Sequence, residues 1–428
     1  MTAEHPIDLL RARGLVQDIT DEPGLREAFD AGPVTYYVGF DPTAPSLHAG
    51  NLVGMMAMAW LQRLGHRPIA IAGGATGRIG DPSGRDSERT LLDDATIAAH
   101  LAGIRAQLAR VLDLDSADGG MLLDNAEWWN ALGFIEVLRD VGKHFSVNAM
   151  IAKESVRRRL DAREQGISYT EFSYQLLQAY DFLHLHRTHG CVLQCGGSDQ
   201  WGNIVAGIDL IRRATGREAY GLTWPLLTTA DGAKFGKSAG NAVWLDAAMT
   251  TPYAYFQFWV NTADDDVVRF LKLFTFLDLE EIDALAAEVR DRPHARVAHR
   301  TLAREATRIV HGDAGVERAE HATRALFGDA PLGGLDDATI AEVFAEAPSS
   351  DVSRADLDAG LGVLELIRRV GAAASNGEAR RLVEQSAVRL DNVVVDDPQR
   401  VVTTEDLAGR RMFVIKVGKK RHFLARVR

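Results

Sequence analysis

Two short stretches hold the residues best suited to chemistry. Gly39 to Asn51 reads GFDPTAPSLHAGN and places His48 where one apolar run, VTYYV, gives way to another, LVGMMAMAWL. About two hundred residues later, DGAKFGKSAGN (231–241) carries Lys234 and Lys237 among glycines. If a strand ends near Phe40 and a helix begins near Asn51, His48 stands by a helix N-terminus. Backbone N–H groups and the positive end of the dipole favour an anion there. An imidazole adds a donor to a phosphate, and Gly50 leaves room for a flat base to lie on the backbone. Two lysines on a Gly-flanked loop can close on a departing polyanion, although such a loop taken alone is equally a solvated surface turn. Gly236-Lys237-Ser238 looks like the end of a phosphate loop. However, Asp231 stands where that motif needs its first Gly, and Gly240-Asn241 interrupt the helix that should follow. A second Gly-rich stretch, GGATGRIGDPSG (73–84), is not a dinucleotide fingerprint either. It still puts glycines beside Asp81, Arg85 and Arg89, a set suited to an ammonium next to phosphates.

The elements that must position these residues alternate. TYYVGF (35–40), RPIAIAGG (67–74), the start of MLLDNAEWW (121–129) and CVLQCGG (191–197) read as strands. Residues 51–64, 170–185 and 199–216 read as helices, the last ended by Gly216. Alternation of this kind predicts a Rossmann-like α/β fold, a parallel sheet wrapped by helices. Ligands in such folds lie at the carboxyl ends of the strands, where Gly39, Gly73, Gly74, Gly196 and Gly197 fall. Residues 249–328 have helical periodicity and little strand character, predicting an all-helical second domain after a catalytic domain at 1–248. A polar stretch at 329–358 reads as a linker. Residues 359–428 predict a small α+β domain: a helix at LGVLELIRRVG, a second opened by Ser375 with Glu378 in capping-box spacing, and two hairpins, the first turning at Asp391-Asn392.

Composition is that of a soluble globular chain, 46% hydrophobic and 25% charged over 428 residues. Neither a basic, apolar leader nor an apolar run of membrane length is present, so a cytoplasmic protein with no membrane partner is expected. The net charge is −11, which by itself argues against a nucleic-acid partner. The charge is uneven, however: Leu407–Arg428 holds eight basic residues and no acidic one, leaving −19 on the rest. An acidic body with a basic end suggests an interaction module. The two cysteines, Cys191 and Cys195, have neither disulfide-framework nor zinc-knuckle spacing and read as core residues. His184, His186 and His189 lie nearby, but no second pair of ligands has metal spacing, so no protein-bound metal is expected.

HAGN followed by KFGKS resembles the two signatures of class I aminoacyl-tRNA synthetases, His-x-Gly-His and Lys-Met-Ser-Lys-Ser. YVGFDPTAPSLHAGN, GGATGRIGDPSG, YQLLQAYDF and GGSDQWGNI narrow the resemblance to the bacterial tyrosyl-tRNA synthetase family. The C-terminal unit is similar to that family's RNA-binding module. The resemblance implies that Tyr37 and Asp181 grip the substrate hydroxyl, that Asp81, Tyr174 and Gln178 hold its ammonium, and that Gln200 lies near its carboxylate. It puts Gly39, Asp41, Gly50, Gly197 and Asp199 around the adenosine. Thr43, His48 and Asn51 would meet the phosphates, and Lys234, Lys237, Arg85 and Arg89 the leaving pyrophosphate. The chain departs from the family at Asn51, where the signature has its second His, and at Asp86, where a basic residue is common. Asn still donates a hydrogen bond; Asp86 weakens the anion clamp. The implied partners are L-tyrosine, ATP with Mg2+, tRNA(Tyr) and a second copy of the chain, with helices around 130–165 expected at the dimer interface. The implied reaction forms tyrosyl-adenylate and then tyrosyl-tRNA. A tryptophan-specific synthetase and a non-catalytic RNA-binding paralogue are the alternatives, and Tyr37 with Asp181 weighs against the first.

Overall fold

A computed structural model describes residues 5–83, 92–116, 119–153, 156–157, 160, 166–230, 235, 237–238, 241–327, 331–345, 347–418 and 421–428, with backbone alone at 237, 238 and 241. Of the candidate residues, Arg85, Asp86, Arg89, Lys234 and the Lys237 side chain lie outside this set.

Six strands form the first sheet: β1 (Asp18–Ile19), β2 (Thr35–Phe40), β3 (Arg67–Ala72), β4 (Met121–Asp124), β5 (Leu193–Gly197) and β6 (Tyr220–Trp224). Their order is β1-β6-β5-β2-β3-β4, parallel except for β1 at one edge. The chain runs outward from β2 through β3 to β4, then returns to β5 on the other side of β2. The order therefore reverses between β2 and β5, and a crevice opens at their carboxyl ends. β2 is central: Tyr37 pairs with Ile69 of β3 and Gln194 of β5. The two-residue period sends its adjacent tyrosines to opposite faces. Tyr36 donates to the Met58 carbonyl at 2.5 Å, in helix Leu52–Arg63. Tyr37 packs on Phe182 of helix Tyr169–His189, with ring centroids 5.3 Å apart.

These helices lie close to their expected bounds. Leu52–Leu61 is buried all round, and Gly54 lets it approach the sheet, since a Cβ there would lie 2.8 Å from the Trp224 ring. Ser168 caps helix Tyr169–His189 by accepting from the Glu171 N–H, and Gly190 ends it in the left-handed conformation. Helix Trp201–Thr215 ends the same way at Gly216, with φ 70°. Cys191 and Cys195 are both buried, and burial pushes both thiols well up.

Helices Pro252–Val260, Asp264–Phe274, Leu279–Asp291 and Val297–Phe327 fill the stretch expected to be helical, with a break in the last at Gly312. The chain divides into two compact units, residues 1–249 with 258–310, and 250–257 with 311–428. In the second unit, β9 (Ser349–Val352), β11 (Val388–Leu390), β12 (Val393–Val394), β14 (Met412–Val417) and β15 (Arg421–Val427) form a sheet ordered β12-β11-β14-β15-β9, while β10 (Leu361–Gly362) pairs with β13 (Val401–Val402). Asp391 and Asn392 turn the first hairpin with φ of 49° and 66°, which their short polar side chains tolerate. Glu378 completes only half a capping box: its N–H donates to Ser375, but its carboxylate accepts from the Ala374 N–H. The stretch 329–358 carries more structure than a linker would, namely helix Asp337–Val343 and β9, which pairs parallel with β15. Its polar sequence, SSDV, hides an edge strand held by backbone bonds, with Val352 alone of the four fully buried.

Candidate active site

One wall of the crevice is the loop from Asp41 to Asn51. His48 N–H donates to Asn51 Oδ1 at 3.0 Å, and Gly50 N–H donates to His48 Nδ1 at 3.0 Å. A ring nitrogen that accepts carries no proton, so in the neutral ring the proton sits on Nε2. The loop is itself tied to the chain that follows Lys237. Ala49 N–H donates to the Val243 carbonyl and Leu245 N–H to the Leu47 carbonyl, so His48 and Trp244 form an antiparallel bridge. Before it, β7 (Lys237–Ser238) pairs with β8 (Asn241–Ala242). Phe235, between Lys234 and Gly236 in sequence, is buried against Phe258, Trp259, Phe270 and Phe274 at ring distances of 4.8–5.8 Å. Its carbonyl oxygen lies 3.8 Å from where a Cβ on Gly50 would be. Distant stretches of the chain thus meet at the head of one helix. Thr43, earlier in the loop, is exposed, and its N–H donates to the Asp41 carbonyl.

Behind this loop, Asp41 accepts from Thr76 Oγ1 and from the Tyr174 hydroxyl, both at 2.7 Å. Gly73 makes room, since a Cβ there would lie 2.1 Å from Asp41 Oδ1. Tyr174 spends its proton on Asp41, so its oxygen remains an acceptor, as an ammonium requires. Burial and the neighbouring carboxylates hold its phenol well above the usual range. At Gly39 a Cβ would meet nothing within 4 Å, so space is open above the end of β2. At Gly197 a Cβ would lie 2.6 Å from Asp199 Oδ1. Burial, then the Asp81 charge, push the Asp199 carboxyl upward.

A partly buried amide network adjoins these carboxylates. Gln200 Nε2 donates to Asp81 Oδ2 at 2.6 Å, and Gln178 Nε2 donates to Gln200 Oε1 at 3.2 Å. Asn203 carries no signal of its own in the sequence, although GGSDQWGN contains it. Its Nδ2 lies 3.0–3.5 Å from Gln178 Oε1, Gln200 Oε1, Ser83 Oγ and Asp81 Oδ1. Four acceptors exceed its two N–H groups, so the network keeps acceptor capacity for a cation. One turn of helix separates Asn203 from Gln200, the spacing that could have flagged it.

Tyr37 and Asp181 line the deep end. Tyr37 is 2% exposed and its hydroxyl lies 3.4 Å from the Gln178 carbonyl. Burial, then the Asp181 charge, raise its phenol well above the usual value. Asp181 is 3% exposed. Its Oδ1 accepts from the indoles of Trp128 and Trp129, each at 2.8 Å, and its Oδ2 from Asn125 Nδ2 at 3.0 Å. Burial pushes the carboxyl up to about 7, against the pull of these three donors. Asn125, Trp128 and Trp129 follow β4; spacing along the chain does not reveal that they converge on one carboxylate. Among the described residues, no group of three or more His, Cys, Asp or Glu could hold a metal ion.

The family model described as class I tRNA synthetases (W and Y) matches residues 30–328, and one described as a tyrosine–tRNA ligase C-terminal domain matches 339–425. A tyrosine–tRNA ligase of Anaeromyxobacter dehalogenans is 49% identical over 99% of this chain and 100% of its own length. One of Rhodopirellula baltica is 47% identical over 98% of this chain and 96% of its own. Among solved structures, a C-terminally truncated mitochondrial tyrosyl-tRNA synthetase of Aspergillus nidulans is 34% identical, with a TM-score of 0.69 over 76% of this chain and 94% of its own.

Proposed function

Because the chain belongs to the class I tRNA synthetases of the tryptophan and tyrosine type and acts as an ATP-dependent tyrosine–tRNA ligase, we propose the following division of labour in its crevice. Tyr37 and Asp181 take the hydroxyl of tyrosine. Asp81, Tyr174 and Gln178 take its ammonium, with Asn203 ordering their amides, and Gln200 lies near its carboxylate. ATP lies along Gly39, Asp41, Gly197 and Asp199, with its phosphates over Thr43, His48, Gly50 and Asn51. Mg2+ arrives with those phosphates. Lys234, Lys237, Arg85 and Arg89 neutralise pyrophosphate as it leaves.

The tyrosine carboxylate forms a bond to the α-phosphorus of ATP while the bond to pyrophosphate breaks. A ribose hydroxyl of the terminal adenosine of tRNA then takes the tyrosyl group and AMP departs. The first nucleophile is already ionised, so no side-chain base is required. Positioning and charge stabilisation must supply the rate. One observation carries this reading: the Phe235 carbonyl lies over Gly50, whose own N–H fixes the His48 tautomer. That juxtaposition supports the reading by bringing Phe235, from the second signature, to the head of the helix that follows β2. The test is single-turnover formation of tyrosyl-adenylate. His48→Ala should slow it by about 10²-fold with tyrosine affinity kept, as loss of a transition-state donor does. A wild-type rate would refute the assignment.

Beyond the crevice, residues 1–248 are the catalytic domain on this reading, 249–328 face the anticodon side, and 359–428 bind RNA through the exposed Arg411, Arg421 and Arg426. The enzyme is a cytoplasmic homodimer. Support for the dimer comes from Phe134, Ile135, Leu138, Val147 and Ile151, which are 41–73% exposed on helices Phe134–Asp140 and Val147–Ile151. A cavity of about 440 Å³ opens beside them. Monomeric soluble proteins rarely leave clusters of large apolar side chains to water. Ile135→Asp should give a monomer by light scattering; an unchanged dimer would move the interface elsewhere. Among the described residues, no helix is long and apolar enough to cross a membrane.

A further inference from the structure

We infer that Trp129 is a positioning residue for amino-acid selection: with Trp128 it saturates one oxygen of Asp181, leaving a single acceptor site on the other oxygen for the substrate hydroxyl. The inference rests on the placement of Asp181 at that hydroxyl proposed above.

A carboxylate offers about four acceptor sites, two on each oxygen. Two indoles at 2.8 Å fill those of Asp181 Oδ1, and Asn125 fills one on Oδ2. Asn125 is itself fully buried, and its Nδ2 also lies 2.9 Å from Thr76 Oγ1, so both its N–H groups are engaged. Indole nitrogens donate and never accept, so neither tryptophan can rotate to welcome a protonated acid. With Asp181 ionised, the group that completes it must donate too, as a phenol does and a phenyl ring does not. Rejecting phenylalanine then follows from leaving this site and Tyr37 unpaired; tyrosine-specific synthetases are themselves the standard example of such rejection. Both indoles are held in place. Trp128 stacks on His184 at 4.5 Å and 17°, and Trp129 tilts against Tyr180 at 5.0 Å.

The groups facing Asp181 are the phenols of Tyr37, Tyr174 and Tyr180, the carboxylate of Asp41, the three donors, and His184 behind Trp128. The test measures kcat/KM for tyrosine and phenylalanine in pyrophosphate exchange across pH. The proteins are wild type, Trp129→Phe, Asp181→Asn and His184→Gln. Trp129→Leu replaces the Phe variant should that one not fold. Trp129→Phe keeps the ring against Tyr180 and removes one donor. It should move the acid limb of the tyrosine profile up by about one pH unit and cut the preference for tyrosine about tenfold to hundredfold, the worth of a charge-assisted hydrogen bond. Its kcat at saturating tyrosine should stay near wild type. Trp129→His, which returns a ring N–H, should recover part of the preference. A Trp129→Phe protein with wild-type limb and preference, beside an Asp181→Asn protein that loses both, overturns the role of Trp129 alone. An Asp181→Asn protein that keeps both overturns the hydroxyl site itself. Loss of the acid limb in His184→Gln would assign the titration to the imidazole and also overturn the inference.

Discussion

Acidifying the enzyme should weaken its hold on tyrosine through one group, Asp181. Burial pushes that carboxyl up to about 7, and a hydroxyl that donates to it needs the ionised form. About nine-tenths is then ionised at pH 8 and about one-tenth at pH 6, so kcat/KM for tyrosine should fall about tenfold over that interval. At saturating tyrosine the bound hydroxyl keeps the carboxylate charged, and kcat should change less. Asp181→Asn, which cannot ionise, should be poor at every pH and lack this limb. The same shift bears on stability. The folded value lies above the ordinary 3.8, so the contribution is fully present below about pH 4 and is lost as pH rises through about 7. The change is at most about 4 kcal/mol, and Asp181→Asn should remove it from urea unfolding curves. The assay is tyrosine-dependent exchange of labelled pyrophosphate into ATP, run between pH 6 and 8 on both proteins. A flat wild-type profile would refute the claim that a buried carboxylate receives the hydroxyl.

Three further outcomes are expected. Gly50→Ala would put a Cβ 2.8 Å from His48 Cε1 and 3.0 Å from Nδ1, so the ring must swing away. The adenylate-forming rate should fall about 10²-fold with the melting temperature nearly kept; an unaltered rate would take His48 out of the step. Lys237→Ala should slow activation roughly 10²–10³-fold in burst kinetics, and unchanged activation would remove the lysine from the mechanism. Deleting residues after about 350 should spare pyrophosphate exchange and weaken tRNA charging, with the lost affinity salt-sensitive. That cut strips Val414 and Leu424 from the cluster they form with Leu332, Leu335, Ile340 and Phe344, so a cut near 328 should yield the more soluble protein. Equal tRNA affinity with and without the segment would defeat its RNA-binding role.

Local chemistry makes much of this architecture legible. Apolar runs and the glycines and polar residues that bound them place β2, β3, β5 and their helices within a few residues, because buried strands and helices differ in length and in the residues that end them. Asp391-Asn392 marks a hairpin because few other pairs accept two positive φ values. What stays hidden is decided by tertiary convergence. Asn125, Trp128 and Trp129 lie more than fifty residues from Asp181, and they meet it only once β4 has joined the sheet and helix Tyr169–His189 has packed. Phe235 reads as one apolar residue in a polar loop, yet its ring is buried in an aromatic cluster. Arg410 counts toward the basic end but is buried in an ion pair with Asp391. Charge counts along a chain do not distinguish a paired cation from an exposed one.

Exchange of labelled pyrophosphate into ATP with each of the twenty amino acids tests the central claim most directly. Exchange driven by tyrosine, with phenylalanine and tryptophan far behind, and lost in His48→Ala, is the predicted result. Exchange driven equally by tryptophan or phenylalanine, or undiminished in His48→Ala, would contradict it.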